Sequence, residues 1–384
     1  MYPNVCEFLS HLISYPSVTP KECGIYDFIQ SQLPDFEVLT IHEGDVKNIF
    51  LFKHFKVGEG KPLHLCFAGH IDVVPPGDGW EYDPFKSTLK DGYLYGRGAQ
   101  DMKSGVSAFI CAIRDFATTY SSAQAKQSLI ISVLLTSDEE GPGIYGTKVV
   151  LETLKKRNLL PDMAIVAEPT CSMKIGDTIK IGRRGSINGV INIQGIQGHV
   201  AYPEKCSNPI ELLGDKLGLI AGIELDDGDE HFSPSKLVVT DIRGGIQAVN
   251  VTPANLKMMF NIRNSTRTNI TDVETYIKKI LNGLKYDLEL KQSSMPFITS
   301  SNSKIAKVLS SVVVEICSIT PSFSTSGGTS DARYFSSFGV EVVEFGVLND
   351  RIHSANECVK IEDLRILYEV FLKTIHCFNQ GVNK

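Results

Sequence analysis

The sequence predicts an α/β protein built on a mixed, largely parallel sheet covered by helices and interrupted by a ferredoxin-like α+β module. Three observations point there. Short apolar runs alternate with helical stretches up to about residue 178, the order becomes β-α-β-β-α-β from about 179, and α/β character returns from about 295. The expected organisation is one discontinuous domain at 1–178 and 295–384 around an inserted domain at 179–294.

Taken in order, Val5, Phe8, Leu9, Leu12 and Ile13 give a helical apolar face. Thr19, Pro20, Lys21 and Glu22 read as a capping box with proline at the first helical position, leading into a helix whose face is Ile25, Phe28 and Ile29. Apolar runs at 63–68, 129–135 and 163–167 read as strands, and a helix fills 102–120 between the first two. In the inserted module, strand 187–193 precedes helix 210–223, then strands 236–242 and 254–263. The last alternates Leu256, Met258, Phe260 and Ile262 with Lys257, Met259, Asn261 and Arg263, the period-2 mark of a half-buried strand. A helix at 272–284 and a strand with Tyr286, Leu288 and Leu290 on one face complete the module. A helix at 302–316, a glycine loop at 326–329, a strand at 340–347 and an amphipathic helix through Ile361, Leu364, Leu367, Phe371 and Ile375 return to the first domain.

Composition narrows the functional classes. Apolar residues at 42% and charged residues at 21% are ordinary for a globular chain, and 384 residues suffice for a large domain plus a smaller one. A net charge of -6 without any basic block gives no nucleic-acid surface, so a small or zwitterionic substrate is expected. The opening MYPNVCEFLSHL has no basic region before an apolar stretch, and no run approaches the roughly 18 apolar residues of a membrane span, so a cytoplasmic protein is expected. Nine scattered cysteines without C-x-x-C support neither a disulfide framework nor a thiolate metal site.

Seven imidazole and carboxylate positions fall near the ends of these runs: His70, Asp72, Asp101, Glu139, Glu140, Glu168 and His353. Residues 70 and 72 would share a strand face, so Asp72 could fix the tautomer of His70, as partners of metal-bound histidines do. Asp101 follows a Gly96–Gly98 turn. It reads either as a helix N-cap or as a carboxylate using both oxygens to bridge two metals; a third glycine for a dinucleotide fingerprint is missing. Glu139 and Glu140 adjoin without a basic neighbour, a pairing that suits one metal ligand beside one general base. Glu168 ends a strand, and His353 follows another. Jointly, nitrogen and oxygen donors without thiolate match a hydrolytic zinc pair sharing a water, with Glu139 moving the proton.

The chain resembles the aminoacylase/carboxypeptidase family of two-zinc hydrolases through residues 67–77, 94–105, 136–147, 166–170, 182–186, 196–203, 327–333 and 342–359. The resemblance implies that His70 and Glu168 hold one zinc, Glu140 and His353 the other, with Asp101 bridging and cobalt able to replace zinc. It further implies that Asp72 orients His70, that Glu139 is the acid/base, and that a non-proline cis peptide follows Asp101. A zinc-hydrolase domain interrupted by a lid that forms a homodimer is implied too, His199 of the lid reaching the neighbouring subunit's site to stabilise an oxyanion. Ile71 departs from the threonine common there, and Glu168 favours the amino-acid deacylase branch over the peptidases. Substrate contacts are expected from Arg183, Ser186, Tyr202, Asn250, Arg263, Gly328, Thr329 and Asn349, arginine being suited to bidentate carboxylate binding. The substrate expected is an N-succinylated diamino acid. Other N-acyl amino acids are the alternative, and a metallopeptidase or a non-catalytic binding module the remaining readings.

Overall fold

The computed structural model describes residues 4–381, so residues 1–3 and 382–384 of the expected first domain lie outside it. The chain divides into two compact units. The first comprises residues up to Ile181, Ile298–Ser324 and the chain from Ser330; the second comprises Gly182–Phe297 and Thr325–Thr329. Both joins fall three residues beyond the sequence estimate, and the whole 326–329 glycine loop, with Thr325, groups with the inserted unit rather than the first. The reason is local: Arg183 donates from Nη1 to the Ser326 carbonyl at 3.0 Å, and the Thr325 hydroxyl donates to the His231 carbonyl.

In the first unit eight strands run in the order Glu37–Glu43, Val46–Phe55, Leu129–Thr136, Leu63–His70, Met163–Val166, Glu341–Glu344, Thr178–Lys180 and Ser322–Ser324. The central pairs, Leu63–His70 with Leu129–Thr136 and Met163–Val166, and Met163–Val166 with Glu341–Glu344, are parallel. These strands are buried almost throughout, which is why they read as unbroken apolar runs. Helices Lys103–Thr119 and Ile361–Asn379 meet the sheet around Phe67, whose ring lies 5.8 Å from Phe109 and 5.4 Å from Phe371. Residues 37–55, unassigned from the sequence, form an antiparallel hairpin that carries the pairing to the sheet's edge.

The helix start expected at Thr19–Glu22 is corrected. The helix is Ile25–Gln32, with Gly24 at its N-cap at φ 86°. The Thr19 amide instead donates to the Val73 carbonyl at 3.1 Å, the Thr19–Pro20 peptide is cis, and Glu22 accepts from the Gly24 amide and from Lys47 Nζ. Thr19 is thus spent on pairing the chain with the segment after His70, leaving no free cap.

The second unit is an antiparallel sheet in the order Lys236–Gly244, Asn255–Arg263, Ser186–Gln194, Tyr286–Ser294, with helices Pro209–Leu217 and Ile270–Ile280. Leu256, Met258, Phe260 and Ile262 are buried with Ile187, Ile191, Leu213 and Ile277, while Lys257, Met259 and Arg263 are exposed. This is the ferredoxin-like arrangement, with the alternation the sequence displays. Among the described residues no helix is long and apolar enough to cross a membrane.

Candidate metal centre

The parallel strands of the first unit all end on one edge of the sheet, where α/β proteins place their sites. His70 is the last residue of its strand, Glu139 and Glu140 lie just past Thr136, and Glu168 lies two residues past Val166. Asp101 stands before helix Lys103–Thr119, and its peptide to Met102 is cis, as the resemblance implies. His353 arrives from the loop after Glu341–Glu344.

Asp101 faces both histidines, one oxygen to each. Its Oδ1 lies 3.3 Å from His70 Nε2 and its Oδ2 lies 3.4 Å from His353 Nε2. Glu168 Oε1 stands 4.0 Å from His70 Nε2, and Glu140 Oε1 stands 2.9 Å from His353 Nε2. Two sets able to hold a metal result, His70, Asp101 and Glu168 on one side and Asp101, Glu140 and His353 on the other, each with donor atoms within 4.8 Å of one another. A third grouping joins His70, Glu139 and Glu140. Glu139 Oε2 is 4.0 Å from His70 Nε2 and belongs to neither set that shares Asp101.

Asp72 meets His70 in a different way from the shared strand face expected of it. The strand stops at His70, so residue 72 does not continue its alternation, and the His70 Nδ1 proton goes to the Asp72 backbone carbonyl at 2.8 Å. The Asp72 carboxylate is 3.6 Å from Nδ1; its oxygens accept from the Glu139 amide at 3.4 Å and the Glu140 amide at 3.1 Å. Asp72 thus meets His70 Nδ1 through its main-chain carbonyl and, farther off, its carboxylate, which also accepts from the glutamate turn.

Electrostatics make the set one that needs cations. Burial pushes Glu139 and Glu168 well above the usual carboxylate range, and surrounding carboxylates add to it. Burial alone would depress His70, but Asp101, Glu139, Glu168 and Asp72 outweigh it and raise it well above its ordinary value. Hydrogen bonds to Asp101 and Glu140 raise His353 to about 10. Burial also opposes the charge on Asp101, yet bonds from the two histidines hold it well below the usual range. So much negative charge, kept in balance only by bound protons, is what a divalent ion would replace, and donors of nitrogen and oxygen without sulfur suit such an ion. The residues fit a divalent metal.

The remaining expected residues are distributed as follows. Asn349 lies in the first unit, its amide donating to the Cys171 carbonyl at 3.0 Å. His199, Arg183, Ser186, Tyr202, Asn250, Arg263, Gly328 and Thr329 belong to the second. His199 accepts from the Ala201 amide at Nδ1, 3.1 Å away, and its ring centroid is 6.1 Å from that of Tyr202. Asn250 takes part through its backbone carbonyl, which accepts from the Val200 amide at 3.1 Å. The Ser186 hydroxyl accepts from Asn261 at 3.0 Å. Arg263 sits beside Arg184, its proton affinity lowered by burial and by that second guanidinium. The one charged group that acts on Arg263 among the described residues is Arg184, and Arg184 Nε is buried without a hydrogen bond.

Sequence reasoning missed Asp331 and Arg333, whose charges act on Glu139, and the buried pair Arg97 and Glu357. Asp331 and Arg333 fall in the 327–333 segment that carries the resemblance, and Glu357 follows His353 closely enough to have been a signal.

A model of the peptidase family M20/M25/M40 matches residues 66–376. The chain is 53% identical to the succinyl-diaminopimelate desuccinylase of Helicobacter pylori over 386 residues, covering 98% of this chain and 99% of that one. It is 54% identical to the enzyme of the same name from Wolinella succinogenes over 378 residues, 98% of this chain and 100% of that one. Among solved structures, aminopeptidase PepT from Bacillus cereus superposes with a TM-score of 0.78 at 20% identity, covering 97% of each chain. The YxeP protein of Bacillus subtilis, described as a dinuclear metal binding peptidase, superposes with a TM-score of 0.71 at 14% identity over 98% of each. The matched span and the full-length identity establish that this chain belongs to the peptidase family M20/M25/M40.

Proposed function

We propose that the protein is a metal-dependent amide hydrolase that converts N-succinyl-LL-2,6-diaminopimelate and water to succinate and LL-2,6-diaminopimelate, in lysine and peptidoglycan precursor biosynthesis. The observation that carries the hydrolytic reading is Asp101 between two donor sets, with the Glu139 carboxylate beside them and outside both. The names of the relatives at 53–54% identity support the substrate. Two zinc ions per subunit are the proposed metals, with cobalt as a working replacement. Such ions would supply Lewis-acid polarisation of the scissile carbonyl and a more acidic water.

The chain's own residues do the rest. His70 and Glu168 would hold one ion and Glu140 and His353 the other, with Asp101 shared by both donor sets. Glu139 accepts the attacking water's proton and returns it to the departing amine as the amide carbon–nitrogen bond breaks. Its carboxylate, beside the two donor sets and outside both, stands where such a group must take up a proton and give it back. Arg184 and Arg263, without acidic partners at ion-pair distance among the described residues, suit a substrate carboxylate, and Arg183, Ser186, Tyr202, Asn250, Gly328, Thr329 and Asn349 complete the substrate contacts. His199 stabilises the oxyanion from the other subunit of a homodimer formed through the second unit, and the enzyme works in the cytoplasm. The test is turnover of a panel of N-acyl amino acids by zinc-loaded protein, with and without chelator. Chelator-sensitive release of succinate is expected; turnover of N-acetylornithine but not the succinyl compound would transfer the assignment to an acetyl-amino-acid deacylase.

A further inference from the structure

We infer that the buried Arg97–Glu357 pair is a positioning device for the metal centre, holding the backbone that presents Asp101 and His353; this rests on the reading of those two residues as metal ligands. Both residues are 1% exposed. Glu357 spends every acceptor position on one loop. Its Oε2 accepts from Arg97 Nη1 at 2.7 Å and the Gly98 amide at 2.9 Å, and its Oε1 accepts from the Gln100 amide at 2.8 Å and the Asp101 amide at 2.9 Å. The Asp101 main chain is therefore hung directly on the Glu357 carboxylate.

The guanidinium reaches the other ligand. Arg97 Nη1 also donates to the Ser354 carbonyl at 3.2 Å, while Nη2 donates to the Pro76 carbonyl at 3.1 Å and approaches the His353 carbonyl at 3.5 Å. One fork thus spans three loops, and only a planar, rigid donor array can do so. Gln100 adds a second lace between the same loops: its side chain donates to Asp350 at 2.8 Å and accepts from the Arg351 amide at 2.7 Å.

Stability alone does not account for such an arrangement. A buried ion pair recovers little more than its own desolvation, and apolar residues of the same volume would hold the loops together as firmly. What apolar residues lack is direction. Four donors converging on one carboxylate, and one guanidinium distributed over carbonyls beside a ligand, fix where backbone atoms stand, as the outer partners of metal ligands do.

The experiment compares wild type with Glu357→Gln and Arg97→Lys. The first keeps the shape of the carboxylate but turns one acceptor into a donor, so in either amide orientation two N–H donors of the 97–101 segment face an N–H. The second keeps a charge against Glu357 and removes the fork. Zinc affinity is read by competition with a chelator, site geometry by the visible spectrum of the cobalt-loaded protein, folding by near-ultraviolet circular dichroism. Glu357→Gln is expected to fold, to lose about 10–100-fold in affinity for at least one zinc, to shift the cobalt bands, and to lower kcat at saturating zinc while KM changes less than threefold. Arg97→Lys is expected to act in the same direction more weakly. Wild-type zinc affinity and cobalt bands in both folded variants would overturn the inference. So would failure of both to fold, which assigns the pair to stability. The zinc and cobalt measurements use no substrate, so an error in the proposed reaction leaves them unaffected and is detected separately by the acyl-amino-acid panel.

Discussion

Gly346→Ala is the sharpest test of how the first unit places Glu168. A Cβ on residue 346 would lie 2.2 Å from the Glu168 carbonyl oxygen, 2.8 Å from its carbonyl carbon and 3.0 Å from the Ala167 oxygen, where ordinary contact begins at 3.4 Å. Every atom met is backbone, so no flexible side chain can yield. The same segment is met by Gly105, whose added Cβ would lie 2.2 Å from the Ala167 oxygen. Relief requires about 1 Å of relative movement, yet the Ala167 amide is bonded to the Ala68 carbonyl at 3.0 Å and the Phe345 amide to the Val166 carbonyl at 3.1 Å. Loss of fit of this kind typically costs about 1–3 kcal/mol of stability. A misplacement of about 1 Å at a catalytic group costs about 100-fold in rate, or about 2.7 kcal/mol in activation free energy. The assay is kcat/KM at saturating zinc, with zinc content and thermal unfolding measured on the same preparation. Gly60→Ala, where an added Cβ meets nothing within 4 Å, is the control and should match wild type. Gly346→Ala retaining activity within threefold and normal zinc content would refute the packing argument.

Three other outcomes are expected. Glu139→Gln should lower kcat by about 100- to 10,000-fold while the protein still binds zinc, because Glu139 lies outside both sets that share Asp101; loss of zinc in step with activity would contradict the assigned role. Carboxylate neighbours raise His70 and His353 in the metal-free protein, so protons occupy the nitrogens a metal needs; zinc affinity should therefore rise with pH and binding should release protons, seen by calorimetry in buffers of different ionisation enthalpy. Burial lowers His64 to about 4 from an unfolded value of 6.5, so its contribution to stability is complete above pH 6.5 and is lost as pH falls toward 4. At pH 5 the loss is about 2 kcal/mol, and His64→Gln, which can keep a bond to Ser132, should narrow the wild-type advantage by that amount between pH 7 and pH 5 in urea unfolding; a constant difference would count against it.

Much of the fold is legible because burial leaves marks on the sequence. Strands such as Met163–Val166 are covered on both faces and read as apolar runs, and Asn255–Arg263 is covered on one and alternates. The metal set is legible for a related reason: its donors follow those strands, and parallel strands deliver their ends to one edge. What stayed hidden depends on partners distant in sequence. Arg97 between two glycines and Glu357 after Asn356 look like surface charges until the fold pairs them. Thr19 looks like a helix cap because local spacing cannot reveal that its amide pairs with Val73. Asp72 was identified as a partner of His70, but which of its oxygens does the work depends on where the strand stops.

The position of strand Glu341–Glu344 bears on how the protein is made. It lies between Met163–Val166 and Thr178–Lys180, both synthesised long before it, so the nascent sheet carries an open slot until translation is nearly finished. Gly182–Phe297 is continuous and can condense on the ribosome while that slot is unfilled. During the interval the bare flank of Met163–Val166 is available for wrong pairing, the hazard that exposed strand edges present. Recovery of native protein should therefore depend more on chaperone supply during synthesis than the stability of the finished molecule would suggest.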